Sequence, residues 1–289
     1  MKPEFWTNTI WFILLGAVSF IQLLAALFTA KKRKLALALY FTVAGIAIWF
    51  DIVVFIAFRA YSFYPRFVPH LPFDDEVIGH WFSQFSVSAT ALLMAVLNVK
   101  AYWFMILAGL YSLIEEWFLH LGIYKHNWYR TWMTVVGLFI FFWIVSKMYR
   151  SSLKSIGRKL RYFYIFLGLS SLYLPTISSG IKLSGIRWYR KNMFPGYIDS
   201  YLLFSMLDFI LISAVVMTIY FSKARRLWKI TAVLALYVIL FMAWQMKWVV
   251  LKAGWWFPIY ATADIFGTYL YVFMLDKLYD RQVQQVKSD

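Results

Sequence analysis

The sequence predicts an all-α integral membrane protein with about nine transmembrane helices, and three observations carry that reading. Of the 289 residues, 63% are hydrophobic and only 15% charged, whereas a soluble domain is about half apolar and about a quarter charged. Mean hydropathy is +0.67. The apolar residues also run in stretches of roughly 20, the length a helix needs to cross the ~30 Å hydrocarbon layer. They do not alternate as barrel strands do. Such a composition excludes an ordinary soluble enzyme, a disordered chain and a nucleic-acid binder. The net charge of +16 does not argue for nucleic acid, because Lys and Arg sit in short runs between the apolar stretches, where they orient membrane helices. With no cysteine, there is no disulfide framework, thiolate nucleophile or Cys-based metal site.

In order, the spans fall at about 9–30, 35–58, 79–98, 101–121, 131–149, 162–182, 199–221, 230–251 and 256–276. The first does not read as a signal peptide. Its leading Lys2 and Glu4 carry no net positive charge, and Phe28 fills the position three before Ala30 where cleavage needs a small residue. Lys31, Lys32, Arg33 and Lys34 follow at once as stop-transfer charges. Placing them in the cytoplasm puts the N-terminus outside and the C-terminus inside. Eighteen of the 29 Lys and Arg then lie in cytoplasmic segments and eleven in outer ones, the bias that orients membrane helices.

The two halves share a pattern. Leu110-Tyr111, Trp128 and Lys147-Met148-Tyr149 are echoed by Leu236-Tyr237, Trp255-Trp256 and Lys277-Leu278-Tyr279. Each half also has an aromatic and proline loop before a Ser/Phe-rich span, at Tyr64-Pro65 and at Phe194-Pro195. Within a single polytopic domain over 1–289, this suggests sub-repeats over 35–150 and 162–280 in a 1+4+4 arrangement. An even number of spans per unit makes it a parallel tandem repeat, one way transporters place a site between halves. Loose alignment of aromatic-rich membrane segments is the other explanation.

Ionisable groups in hydrocarbon are costly, so they mark a functional site or a paired network. They are Asp51 in span two, Glu115 and Glu116 in span four, Asp208 in span seven and Asp264 in span nine. Gln245 and Lys247 of span eight join them, while Lys182 at the end of span six snorkels to the surface. Asp51 lies roughly 24 Å from the inner start of its helix at 1.5 Å per residue. Glu115 and Glu116 lie similarly late in their helix, Asp208 and Asp264 fall near the middle or slightly outward, and His70, His80, His120 and His126 fall on the outer side. Together they suggest one outward-open polar cavity; interhelical pairs such as Lys247 with Asp264 or Glu116 are the structural alternative.

The densest cluster is Glu115-Glu116-Trp117-Phe118-Leu119-His120. Glu116 and His120 share a helix face and could move a proton. A zinc site needs at least three protein donors, so no metal and no cofactor are expected. In span six, Ser170-Ser171 precede Leu174-Pro175-Thr176-Ile177-Ser178-Ser179-Gly180. Proline removes a backbone bond there, so Pro175 and Gly180 mark a helix break that could expose backbone groups to a ligand. Pro258 near the start of span nine is a helix starter. The fifteen Trp and twenty Tyr gather near span ends as an aromatic belt; an aromatic cage for a cationic ligand is the sharper alternative.

The motifs of P-loop proteins, serine hydrolases, zincins and dinucleotide-binding enzymes are missing, and no histidine pair sits at mid-depth for haem. The stretch from Glu116 to Trp128, Glu-Trp-Phe-Leu-His-Leu-Gly-Ile-Tyr-Lys-His-Asn-Trp, resembles a motif in small multi-pass membrane proteins of spore-forming Firmicutes. In these a membrane glutamate precedes a Gly-x-Tyr turn and a tryptophan. The match covers spans four to five, and the family has no established activity to transfer. The resemblance implies a bacterial cytoplasmic membrane and makes Glu116, Gly122, Tyr124 and Trp128 motif positions. The Glu115-Glu116 pair also resembles the first motif of glutamate intramembrane proteases, where arginine follows four residues later. Here His120 stands in that place, and the later histidine motifs have no counterpart.

The leading expectation is therefore a small transporter or ligand-binding membrane protein. Glu116 and Asp264 would handle a proton or cation, with Asp51, Asp208, Glu115 and His120 around them. Its partners are the lipid bilayer and a small molecule or ion, not nucleic acid; a homo-oligomer is left open. A membrane enzyme using Glu115 and Glu116 as general base, and a non-catalytic, spore-related structural protein, are the alternatives.

Overall fold

The computed structural model describes residues 4–189 and 200–279. Phe194-Pro195, Lys2, Arg190, Lys191, Arg281 and Lys287, which enter the repeat and charge readings above, lie outside these residues. In chain order the helices are α1 (Ile10–Thr29), α2 (Arg33–Asp51), α3 (Pro72–Leu97), α4 (Ala101–His120) and α5 (Thr131–Lys154). They continue as α6 (Arg158–Tyr173), α7 (Ser179–Leu183), α8 (Ser200–Phe221), α9 (Arg226–Gln245) and α10 (Trp256–Tyr279). Among the described residues, seven helical stretches are long and apolar enough to cross a membrane. The class is that of a multi-pass, all-α membrane protein. The expected spans at 101–121 and 256–276 are helices, α4 and α10, but they fall outside the seven. Glu115 and Glu116 in one and Asp264 in the other lower their apolarity.

Among the described residues, four strands of three residues each accompany the helices: β1 (Tyr61–Phe63), β2 (Tyr124–His126), β3 (Arg187–Tyr189) and β4 (Val249–Leu251). The sequence reading missed them. It took Val249–Leu251 as the tail of span eight, because three residues carry no period that separates strand from helix. β1 pairs antiparallel with β2, Tyr61 opposite His126 and Phe63 opposite Tyr124. β3 pairs the same way with β4, Arg187 opposite Leu251 and Tyr189 opposite Val249.

The expected helix break at Pro175 and Gly180 takes a different form. The chain does not unwind: Leu174–Ser178 is a single wide π-helical turn between α6 and α7. Pro175 removes one donor, and hydroxyls satisfy nearby carbonyls, with Ser179 Oγ donating to Leu174 O at 2.9 Å and Thr176 to Leu172 O. A second π-helical turn, Ile52–Ala57, extends α2 just past Asp51. Pro258 sits in the first turn of α10, as expected of a helix starter.

The chain divides into two compact units, one built on α1 to α5 and the other spanning Tyr162–Lys277. Unit 1 is a bundle whose strand-bearing end is closed by a core of Phe12, Tyr61, Phe63, Phe118, Ile123 and Tyr124. Alternation along β1 buries Tyr61 and Phe63 on one face and leaves Ser62 half-buried. Helix α3 approaches β1 closely because Gly79 lacks a side chain; a Cβ there would fall 2.7 Å from Phe63 Cβ. The loop between β1 and α3 is fastened by Asp75, which accepts the backbone N–H groups of Arg66 and Val68 at 2.8 Å each. Thr9, just before α1, donates to Pro65 O at 2.9 Å.

Among the described residues of α6 to α10, the order is helix with π-turn, the short α7, strand, helix, helix, strand, helix, which apart from α7 is the order from α2 to α5. Its intervals match those of α2 to α5: Ala101 to Arg226 at the starts of α4 and α9, and Thr131 to Trp256 at the starts of α5 and α10, are both 125 residues. Along that interval Tyr111 falls opposite Leu236.

Candidate ligand cavity and buried charge clusters

Consecutive residues on a helix point about 100° apart, so Glu115 and Glu116 cannot both face the bundle. Glu115 turns inward. It accepts a short hydrogen bond from Thr134 on α5, and His126 Nε2 on β2 lies 2.6 Å from its Oε1. The Tyr129 hydroxyl is 3.1 Å from the same threonine. Glu116 is exposed and accepts a short hydrogen bond from Thr131. His120, one turn on, is exposed beside the Trp117 ring. Among the described residues no three His, Asp or Glu side chains gather as metal ligands, and Glu116 with His120 remains a two-donor pair.

Glu115 borders a cavity of about 520 Å³ inside unit 1. Its walls come from α1 to α5, β1 and the connections after α2 and β2, and they are mostly apolar. Tyr61, Tyr124, Trp128, Tyr129, Glu115 and Thr134 surround the strand-bearing end. Ile46, Ala47, Val87, Leu138, Phe141 and Ile144 line the remainder, with Ser83, Gln84 and Tyr111 among them. The Tyr111 hydroxyl is taken up by Ser86 and Thr90 at 2.9 and 2.7 Å. From Met133 to Ile144 the cavity follows α5 for roughly 16 Å. Of its wall residues, Phe50 on α2 and Ile140 and Ile144 on α5 are also exposed on the outside of the bundle, as is Trp128 after β2. Burial pushes the phenols of Tyr61, Tyr124 and Tyr129 up, Tyr129 to about 12, and the Glu115 and Asp51 carboxylates push Tyr129 in the same direction. The three hydroxyls therefore stay protonated and the rings neutral, and the Tyr61 proton is directed to Asp51.

Asp51 is not a wall of this cavity, but it holds one. It accepts a short hydrogen bond from the Tyr61 hydroxyl, and His80 Nδ1 on α3 lies 2.7 Å from its other oxygen. The His80 ring packs against Phe55 at 3.8 Å and Phe63 at 4.9 Å between centroids. The trio ties the end of α2, β1 and α3 together.

The other two intramembrane acids meet in unit 2, on a residue the sequence reading had assigned to an outer loop. Arg187, at the start of β3, has no exposed surface. Its Nη1 lies 3.0 Å from Asp264 Oδ2 and 3.3 Å from Asp208 Oδ2, and its Nη2 donates to Ser178 Oγ at 3.4 Å. Tyr189 and Tyr260 stack over the guanidinium at 4.9 Å each. Their hydroxyls reach Asp208 at 2.9 and 3.5 Å, while Tyr173 donates to Asp264 at 3.2 Å. Burial pushes the Tyr189 phenol up against the opposing pull of Arg187. Asp264 thus pairs with Arg187, not with Lys247, the partner considered from the sequence; Lys247 is exposed in the turn after α9. Two carboxylates within apolar spans demand a nearby cation, and that demand was the one signal for it; which of the loop cations answers it was not marked in the sequence.

Within unit 1, then, the structure joins Asp51 to His80 and Glu115 to His126. Within unit 2 it joins Asp208 to Asp264 through Arg187. Glu116, His120 and Gly180 enter none of these clusters, and Pro175 acts through the backbone turn. Compared with protein-family models, with curated proteins and with solved structures, the chain matches none.

Proposed function

We propose that this multi-pass membrane protein binds a small, mainly apolar molecule in the cavity of unit 1, as a small transporter or ligand-binding protein of a bacterial cytoplasmic membrane. One observation carries the reading: about 520 Å³ of space with apolar walls and a single carboxylate at one end. Sites for small molecules have this size and this mixture, a few hundred to a thousand Å³ with a small number of placed polar groups. The mostly apolar wall suits a ligand that arrives dissolved in the bilayer. Glu115, rather than Glu116, is the anchoring acid in this proposal, with Tyr129 and Thr134 beside it. Asp51 positions Tyr61, and the Asp208–Asp264 pair with Arg187 serves stability.

Filling the space tests the reading. A Cβ added at Gly137, a wall residue on α5, meets nothing within 4 Å, so Gly137→Phe adds a ring at the cavity wall without a clash at its base. Purified protein is expected to bind an uncharged aromatic probe, triphenylphosphine oxide, in equilibrium dialysis. The Gly137→Phe protein, with an undiminished thermal midpoint, is expected to lose about tenfold or more of that affinity, as for loss of a buried ring's worth of contact. Equal binding by the two proteins would place the probe elsewhere and sink the proposal.

A further inference from the structure

Lys and Arg outnumber Asp and Glu 29 to 13 in this chain, yet among the described residues the cavity wall of unit 1 includes no Lys or Arg and one acid, Glu115. The charge of the wall is opposite to that of the protein. Around that acid stand aromatic rings: Tyr61 lies 5.0 Å from Tyr129 and 5.4 Å from Tyr124 between centroids, and Trp128 lies 6.3 Å from Tyr129. Ring faces attract cations, and more strongly where water is excluded. The carboxylate is held in place from two sides by Thr134 and His126. Each of its oxygens keeps acceptor capacity, since a carboxylate offers about four lone-pair sites.

Resting on the cavity reading above, we infer that the ligand is a monovalent organic cation with an aromatic or aliphatic body, its charge at the Glu115 and tyrosine end and its body toward Phe141 and Ile144. An anion of the same shape would meet the Glu115 carboxylate, which already engages the nearby imidazole of His126. It would also meet the negative faces of several rings, with no Lys or Arg in the wall to offset them, so the site rejects it. The aromatic groups here do more than form an interfacial belt. They are the selective part of the site.

Tetraphenylphosphonium and tetraphenylborate share one shape and carry opposite charges, and triphenylphosphine oxide is an uncharged relative. Their binding to the purified full chain in an uncharged detergent, net of protein-free micelles, separates the two levels of the proposal. In the wild type, tetraphenylphosphonium is expected to bind about tenfold or more tighter than tetraphenylborate, as a cation–π contact joined to one close charge pair allows. Glu115→Gln should bring the two ions to within about threefold of each other, and Glu115→Asp should retain the preference. A wild type that takes both ions equally, or prefers the anion, overturns the inference whether or not either Glu115 variant folds. So does a folded Glu115→Gln protein that keeps the full preference. Failure of the cavity reading looks different: all three probes would then bind the Gly137→Phe protein as they bind the wild type, or none would bind either protein.

Discussion

Arg187 is the residue whose surroundings ask most of the fold. A guanidinium without exposed surface is tolerable only because two carboxylates, a serine and two ring faces surround it, and each carboxylate in turn depends on it. Breaking a buried pair costs about 3–5 kcal/mol because the partner is left charged and unmatched, whereas replacing the whole cluster with neutral groups is often close to neutral. Arg187→Met is therefore expected to lower unfolding stability in detergent by about that 3–5 kcal/mol. Arg187→Met combined with Asp208→Asn and Asp264→Asn should recover most of the loss. A single variant as stable as wild type would mean that the cluster contributes nothing to the fold, and would reopen it as a site for ligand or protons. At the same place in unit 1, the first residue of β1 is Tyr61, which reaches Asp51 by a hydroxyl and leaves its ring as a cavity wall. Arginine at one strand start pairs with two carboxylates, and tyrosine at the other pairs with one and lines the cavity of unit 1.

At the level of elements, the helix ends before the strands share a turn. Ile123 N–H reaches back to Phe118 O at 3.1 Å, Ile186 N–H to Ile181 O at 3.3 Å, and Trp248 N–H to Ala243 O at 2.9 Å. This six-to-one bond needs a left-handed residue just before the donor. Gly122 and Gly185 occupy that position with φ of 68° each, but after α9 it is Lys247 with φ of 58°. A left-handed residue with a Cβ costs roughly 1–2 kcal/mol. Lys247→Gly is therefore expected to raise stability by about 1 kcal/mol, less the chain entropy that glycine adds to the unfolded state, and thermal unfolding in detergent measures it. A clear loss of stability would mean that the Lys247 side chain contributes more than its backbone costs. These turns also show where reading the sequence stopped. Helices of about 20 apolar residues were legible because the bilayer fixes their length, and Glu115, Asp51, Asp208 and Asp264 stood out against apolar neighbours. Which of Glu115 and Glu116 faces inward was not legible, since adjacent acids need a known bundle to tell them apart. Arg187 was hidden among loop cations, and three-residue strands leave no periodic trace.

For the whole molecule, the open question is how many helices cross. Helix α4 is less apolar than the seven that qualify by composition, yet its ends are fixed by its neighbours. It starts three residues after Asn98 closes α3, and β2 beyond its far end pairs with β1, which leads into the start of α3. Helix α4 therefore runs antiparallel to α3, and at 20 residues it covers about 30 Å, the thickness of the hydrocarbon layer. Its two glutamates lie in the last turns before β2, where polar groups are cheapest. If it crosses, Lys100 and Lys125 face opposite sides of the membrane; if not, they share one. The absence of cysteine makes this measurable with single-cysteine variants and a membrane-impermeant maleimide on intact cells. With the N-terminus outside, Lys125→Cys and Ser184→Cys are expected to label, while Lys100→Cys, Ser155→Cys and Lys223→Cys label only after lysis. The reverse pattern would turn the chain over without changing the span count. Labelling of Lys100 and Lys125 together would remove α4 as a crossing helix. Labelling of Lys125 without Ser184 would end the parallel repeat, because two spans separate those loops, and a tandem duplication returns the chain to the same side after each pair of crossings.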